Sequence, residues 1–335
     1  MKRSRKREDV LKISIISALF FSLLLTTILL SSCTPSSTYK QGTKEGLTIN
    51  FVGNPLSRIK TSTNIPLTIS LSNRGDVIPV SIDEKGIYIQ WGIMPKEYLS
   101  KIEPNVNSID GEEILPGTKR NVYIGSFKLK DKKDILKEMD FAQAYLTINY
   151  CYPYSTLLHD EICIEPRGSL DEKTQVCVEE PLNYNGQNAP VGILSIIPHS
   201  SFNNSKGIMQ PIYDIDIVNY GYGAPFYRKE MDPSTWEIID IEEDKPFLND
   251  YCENIFKTGK LNGTNNVRIR AKISDIDLVC DPEIVTLVDG KGSTRCRVPE
   301  EKLDSFNAPN NFYANLFIRL DYDYIAFLRE KFIIS

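Results

Sequence analysis

One stretch of this chain occurs twice. Ala144 to Ile164 reads AYLTINYCYPYSTLLHDEICI, and Ala314 to Ile334 reads ANLFIRLDYDYIAFLREKFII; they align without a gap at an offset of 170. Ala144/Ala314, Leu146/Leu316, Ile148/Ile318, Tyr152/Tyr322, Tyr154/Tyr324, Leu158/Leu328 and Ile164/Ile334 are identities. The shared apolar positions alternate in the first half of the segment, as a strand with one buried face requires. The tyrosines fall where the spacing predicts a turn, and a second alternating strand follows. Each copy is therefore expected to be the closing hairpin of one of two related β-domains.

Short alternating runs fill the rest of the chain. Leu47, Ile49 and Phe51 form one; Ile65, Leu67, Ile69 and Leu71 another; Ile87, Ile89, Trp91 and Ile93 a third. Val122 to Leu129 continues the series. Turn residues separate them at Asn54-Pro55, Asn73-Arg74-Gly75 and Leu115-Pro116-Gly117. Such a pattern predicts an all-β sandwich class. A second echo links the halves: Ile69 to Gly75 and Ile215 to Gly221 are both alternating strands ending in Asn-x-Gly. Asn and Gly tolerate the left-handed backbone of a tight turn, and that conformation is expected there. Short helical candidates, Asp131 to Met139 and Pro299 to Asp304, precede the repeated segment in each half. Leu71 to Gly75 and Leu115 to Val122 together resemble the CARDB-like and related immunoglobulin-like modules of prokaryotic surface proteins. The resemblance implies two tandem immunoglobulin-like sandwiches with adhesion or assembly roles, and no catalytic residues. The second half lacks a clear Pro-Gly turn and carries a longer middle, Ala224 to Asn266.

Boundaries follow. Residues 1–33 read as a signal peptide or membrane anchor and 34–46 as a flexible tether. Residues 47–170 are the first domain, 171–188 an interdomain segment and 189–335 the second. Lys2, Arg3, Arg5, Lys6, Arg7 and Lys12 precede an uncharged run from Ile13 to Leu30. At about 1.5 Å per helical residue this run spans roughly 27 Å, close to the hydrocarbon core of a bilayer. The basic flank places the N-terminus in the cytoplasm and the remainder outside. Leu30-Ser31-Ser32-Cys33 resembles the lipobox of exported lipoproteins, which implies lipidation at Cys33; an uncleaved anchor is the alternative. Both put residues 34–335 in an extracytoplasmic space.

Cysteine usage agrees. Beyond Cys33 there are six cysteines, an even number suited to structural disulfides in an oxidising compartment. Position along the chain suggests Cys151–Cys163 across the first hairpin, Cys280–Cys296 across a later one, and Cys177–Cys252 as the remaining pair. The net charge of −5 has both signs interleaved, which argues against nucleic acid as a partner. Nucleophile-elbow, Walker A, dinucleotide and zincin motifs are absent from the sequence. The two histidines, His159 and His199, are expected to face solvent. Asp240, Glu242, Glu243 and Asp244, and the pair Asp321 and Asp323, read as solvated charges rather than a Ca²⁺ site. Tyr220, Tyr222 and Tyr227 suit either a binding surface or a sandwich core. Asn203 and Asn262 begin glycosylation sequons. No catalytic, metal-binding or cofactor-binding residue is identified. The expected role is a membrane-anchored binding or structural protein with a protein or glycan partner. The alternatives are an envelope-acting hydrolase using dispersed carboxylates, and a subunit of a secretion- or pilus-type complex.

Overall fold

The computed structural model describes residues 40–41, 46–52, 58–61, 63–75, 87–103, 106–109, 114–137, 140–166, 176–227 and 265–335. Strands dominate, arranged in three open sheets. The first has four strands in the order β2 (Leu47–Phe51), β4 (Asn64–Asn73), β8 (Lys119–Leu129), β6 (Leu99–Glu103). The second has six: β1 (Lys40–Gln41), β10 (Leu182–Asn185), β11 (Val191–Asn203), β12 (Ile208–Asn219), β18 (Lys291–Arg297), β16 (Val279–Asp281). The third runs β15 (Ile276–Asp277), β14 (Asn266–Ile273), β19 (Phe312–Ile334), β9 (Ala142–Ile164), β5 (Ile87–Met94), β7 (Val106–Ile109). β3 (Arg58–Ile59) and β13 (Ala224–Phe226) also pair with β19, and β17 (Ile284–Thr286) pairs with β14. The predicted helices form as a short α1 (Lys132–Leu136) and a 3₁₀ turn, Glu300–Phe306. Within the stretch read as a tether, β1 pairs in parallel with β10, which itself lies in the segment read as interdomain.

The repeated segments are not hairpins. Each is one unbroken strand of 23 residues, and the two pair with each other, antiparallel, along their whole length. The register respects the repeat: Tyr152 faces Tyr324, Tyr154 faces Tyr322, Leu158 faces Ile318 and Leu328 faces Ile148. Pro153 faces Asp323, so a local two-fold axis passes through that pair and exchanges equivalent residues of the two copies. Alternation predicts a strand on either side of the tyrosines, and both arms exist. The chain goes straight where a turn was expected because the tyrosines are core: Tyr152, Tyr154, Tyr322 and Tyr324 are all buried and pack ring against ring at about the same spacing, 5.8–6.4 Å.

The straightened strands carry their far arms into the opposite half. Phe332, near the end of β19, packs on Phe127 of β8, which also contacts Trp91 of β5. Ile333 and Ile334 pair in parallel with β3. In the reverse direction, Asp160 near the end of β9 accepts a hydrogen bond from Tyr184 Oη at 2.8 Å, and Pro166 O accepts one from Met209 N at 2.8 Å. One hydrophobic cluster consequently joins Ile69, Trp91 and Phe127 to Tyr213, Ile215 and Ile269. Lys40–Ser335 makes a single compact unit.

The second echo holds as well. Asn73 Oδ1 accepts from Gly75 N at 3.0 Å, and Asn219 Oδ1 from Gly221 N at 3.1 Å. Neither glycine has a positive φ, contrary to the expected left-handed turn. Both are glycine because a tyrosine leaves no room for more: a Cβ on Gly75 would overlap the Tyr154 hydroxyl, and one on Gly221 the Tyr324 hydroxyl. Those two tyrosines are themselves equivalent in the repeat. The Pro-Gly turn also has its counterpart. Asp289-Gly290, with φ of 50° and 75°, leads straight into β18 as Pro116-Gly117 leads into β8. Gly290 O accepts from Asn219 N at 2.8 Å, while Thr118 O accepts from Asn73 N at 3.1 Å.

Candidate functional site

Of the expected disulfides, Cys280–Cys296 forms, between directly facing residues of β16 and β18. Cys151–Cys163 does not. Twelve residues along one extended strand put these cysteines about 40 Å apart, far beyond the roughly 7 Å limit for a bridge. Cys163 instead bonds to Cys177, which also removes the expected Cys177–Cys252 pair. Cys151 is disulfide-bonded too. With four other cysteines consumed, its partner is Cys33 or Cys252, both outside the described residues.

The Cys163–Cys177 bond ties the far arm of β9 to the segment entering β10. Beside it lies a pocket of about 410 Å³. Leu182, Ile196 and Pro198 supply apolar wall; Glu161, Glu179 and Glu180 supply three carboxylates; Tyr213 and Tyr313 supply two rings. Among the described residues no lysine or arginine lines it. The strand alternation explains the arrangement: Tyr213 faces Pro198 across β11 and β12, and both point inward at this end of the sheet. Burial raises the Glu179 carboxyl, against a hydrogen bond from Ser200 Oγ at 3.1 Å. Burial, with Glu179 nearby, also pushes the Tyr213 hydroxyl up. That hydroxyl is buried and has no hydrogen-bond partner. Apart from its two cysteines, no residue of the pocket stood out in the sequence. A signal existed, since Glu161 lies two residues before Cys163 and Glu179-Glu180 follow Cys177 within three. Only the correct cysteine pairing puts these acids around one pocket.

A second surface lies on the outer face of the β9–β19 ladder. At one end Phe317 stacks on His159, ring centroids 4.3 Å apart, with Leu157 and Tyr313 alongside and exposed. At the other end Phe327 is 66 % exposed and the Arg329 guanidinium lies 3.9 Å above the Tyr145 ring. These side chains alternate with the buried row, so they share the face opposite the core.

The remaining expected residues are dispersed. His159 and His199 do face solvent; His199 Nε2 sits 3.0 Å from Asp214, which Arg295 also holds at 2.7 Å. Asp321 and Asp323 are not solvated. Asp321 accepts hydrogen bonds from Ser155, Arg270 and Arg319, and Asp323 is buried near Cys151, Tyr88 and Phe226 on the covered middle of the ladder face. Tyr222 is fully exposed, whereas Tyr227 contacts Arg268. Asn203 opens the β11–β12 turn and its Oδ1 accepts from Ser205 and Lys206 backbone nitrogens. Asn262, Asp240, Glu242, Glu243 and Asp244 lie outside the described residues, as does the leader. Among the described residues no His, Cys, Asp and Glu side chains gather to hold a metal ion, and no helix is long and apolar enough to cross a membrane. No family model matches the chain, and no curated protein does. The chain's chemistry has to be read from its own residues.

Proposed function

We propose an exported, membrane-anchored binding or structural protein, in which two copies of an immunoglobulin-like sandwich have exchanged their last strands. Two observations support the architecture. The sheet orders β2-β4-β8-β6 and β11-β12-β18-β16 correspond strand for strand, and each sheet is covered by the far arm of the other half's long strand. The described disulfides suit an oxidising, extracytoplasmic space.

The observation that carries the binding role is the pair of aromatic patches on the outer ladder face. Large rings left in water beside a histidine and an arginine have the composition of protein–protein and protein–glycan contacts. Held on one continuous ladder, both patches keep a fixed separation, as a rigid bivalent contact requires. Capture of envelope components by the intact anchored protein tests this. The Phe317→Ala/Phe327→Ala protein is expected to lose the captured partner while keeping its melting temperature. An unchanged capture profile rejects the ladder face as the contact.

One observation favours the hydrolase reading: three glutamates share a pocket, and Glu179 is raised as a general acid must be. Release of soluble product from isolated envelope glycan, abolished by Glu179→Gln, is what that reading requires.

A further inference from the structure

We propose that the pocket beside the Cys163–Cys177 disulfide receives an alkylammonium group, the chemistry shared by a lysine side chain and the end of a diamine. The acidic lining is one observation: among the described residues, Glu161, Glu179 and Glu180 line the pocket and no basic side chain does. The Tyr213 hydroxyl is an independent one. It belongs to a lining side chain that is 1 % exposed, and it has neither donor nor acceptor within reach. A buried polar atom left unsatisfied costs about 1–3 kcal/mol unless something arrives to pair with it. Its oxygen lone pairs suit an N–H donor, and an ammonium offers three.

The apolar wall completes the fit. An alkylammonium brings a methylene stem that needs cover as well as a charge that needs partners. Leu182, Ile196 and Pro198 are placed for the stem. A free metal ion would leave that wall unused, and an anion would meet three carboxylates. The volume of about 410 Å³ falls within the usual range for small-molecule sites. Burial raises the Glu179 carboxyl, with Glu165 adjacent and with Ser200 and His199 opposing, and a cation beside it works against that rise. Binding is therefore expected to weaken as pH falls and Glu179 takes a proton.

Titration calorimetry on the full-length protein, solubilised with its anchor, tests the proposal with three probes. Nα-acetyl-lysinamide and 1,4-diaminobutane carry the ammonium, and Nα-acetyl-norleucinamide carries the stem alone. Both amines are expected to bind, with the norleucine compound at least roughly tenfold weaker, the scale of a lost charged hydrogen bond. Tyr213→Phe deletes one unsatisfied oxygen from a buried ring and is expected to weaken the amines several-fold while leaving the melting temperature of the unliganded protein equal or higher. Glu179→Gln is expected to cost about tenfold. Preference for acetyl-lysinamide identifies a partner protein's side chain as the source, and preference for diaminobutane a free polyamine. No binding by either amine, equal binding of the norleucine compound, or affinity indifferent to both substitutions overturns the proposal; the last result means diffuse attraction to an acidic surface.

Discussion

Single atoms decide a good deal at the centre of this molecule. Gly75 and Gly221 exist to admit tyrosine hydroxyls, so Gly75→Ala is expected to cost roughly 1–3 kcal/mol by overpacking. Gly92, whose added Cβ would meet nothing within 4 Å, is the control: Gly92→Ala should be neutral or slightly stabilising in thermal melts. Asp323 and Asp321, two residues apart, have opposite electrostatic sense. Burial alone holds the Asp323 carboxyl well above the ordinary carboxylate range. Above about pH 4, where an unfolded aspartate ionises, the folded state therefore retains a proton that the unfolded state has lost, and stability falls as pH rises toward the raised value. Asp323→Asn removes that penalty. Its urea midpoint is expected to exceed that of the wild type by more at pH 8 than at pH 5, and a constant gap contradicts this. For Asp321, burial works upward but Ser155, Arg319 and Arg270 outweigh it and hold the carboxyl low. Its contribution is present above about pH 4 and disappears as pH falls through the lowered value. Asp321→Asn is thus expected to differ from wild type at neutral pH and converge with it in acid.

At the scale of elements, strands were legible and their partners were not. Alternation located β2, β4, β5 and both arms of β9 and β19 because burial on one face writes period two into the residues themselves. Pairing leaves no such mark. Nothing local to Tyr152-Pro153-Tyr154 separates a hairpin bend from a straight run; what decides is whether the tyrosines meet solvent or other tyrosines 170 residues away. The pocket was invisible for the same reason, since its acidic residues share one lining through a disulfide that chain proximity assigned elsewhere. The Asp289-Gly290 turn, by contrast, was readable as a hairpin though not as the counterpart of Pro116-Gly117. The crossing arms make a prediction. Phe332 lies in the last strand yet packs on Phe127, so Phe332→Ala should cost about 3–5 kcal/mol. Hydrogen exchange is expected to accelerate at Ile124, Phe127 and Trp91 and to leave Ile215 and Ile217 unchanged. Acceleration confined to β12 contradicts the crossing.

For the whole molecule, the proposed lipid anchor and the disulfide closure are linked through the cysteines. Cys151 needs a partner from outside the described residues, and lipidation at Cys33 leaves Cys252 alone to supply it. Non-reducing peptide mapping is expected to yield Cys163–Cys177, Cys280–Cys296 and Cys151–Cys252. Cys33→Ser is expected to abolish fatty-acid labelling without disturbing that map. A fragment joining Cys33 to Cys151 rejects the lipoprotein form outright.

The long ladder also sets an order of events. A polypeptide leaving a ribosome or a translocation channel usually completes its leading module while the trailing one is still emerging. Here the leading sheet waits for Phe332 and Ile334, so its core stays unfinished until β19 has emerged. A partner strand 170 residues away also makes loop closure slow. Such a delay postpones compact structure in the leading half. It also leaves β9 as a long unpaired apolar edge in the interval, exposed to any neighbouring chain or holding chaperone that meets it first.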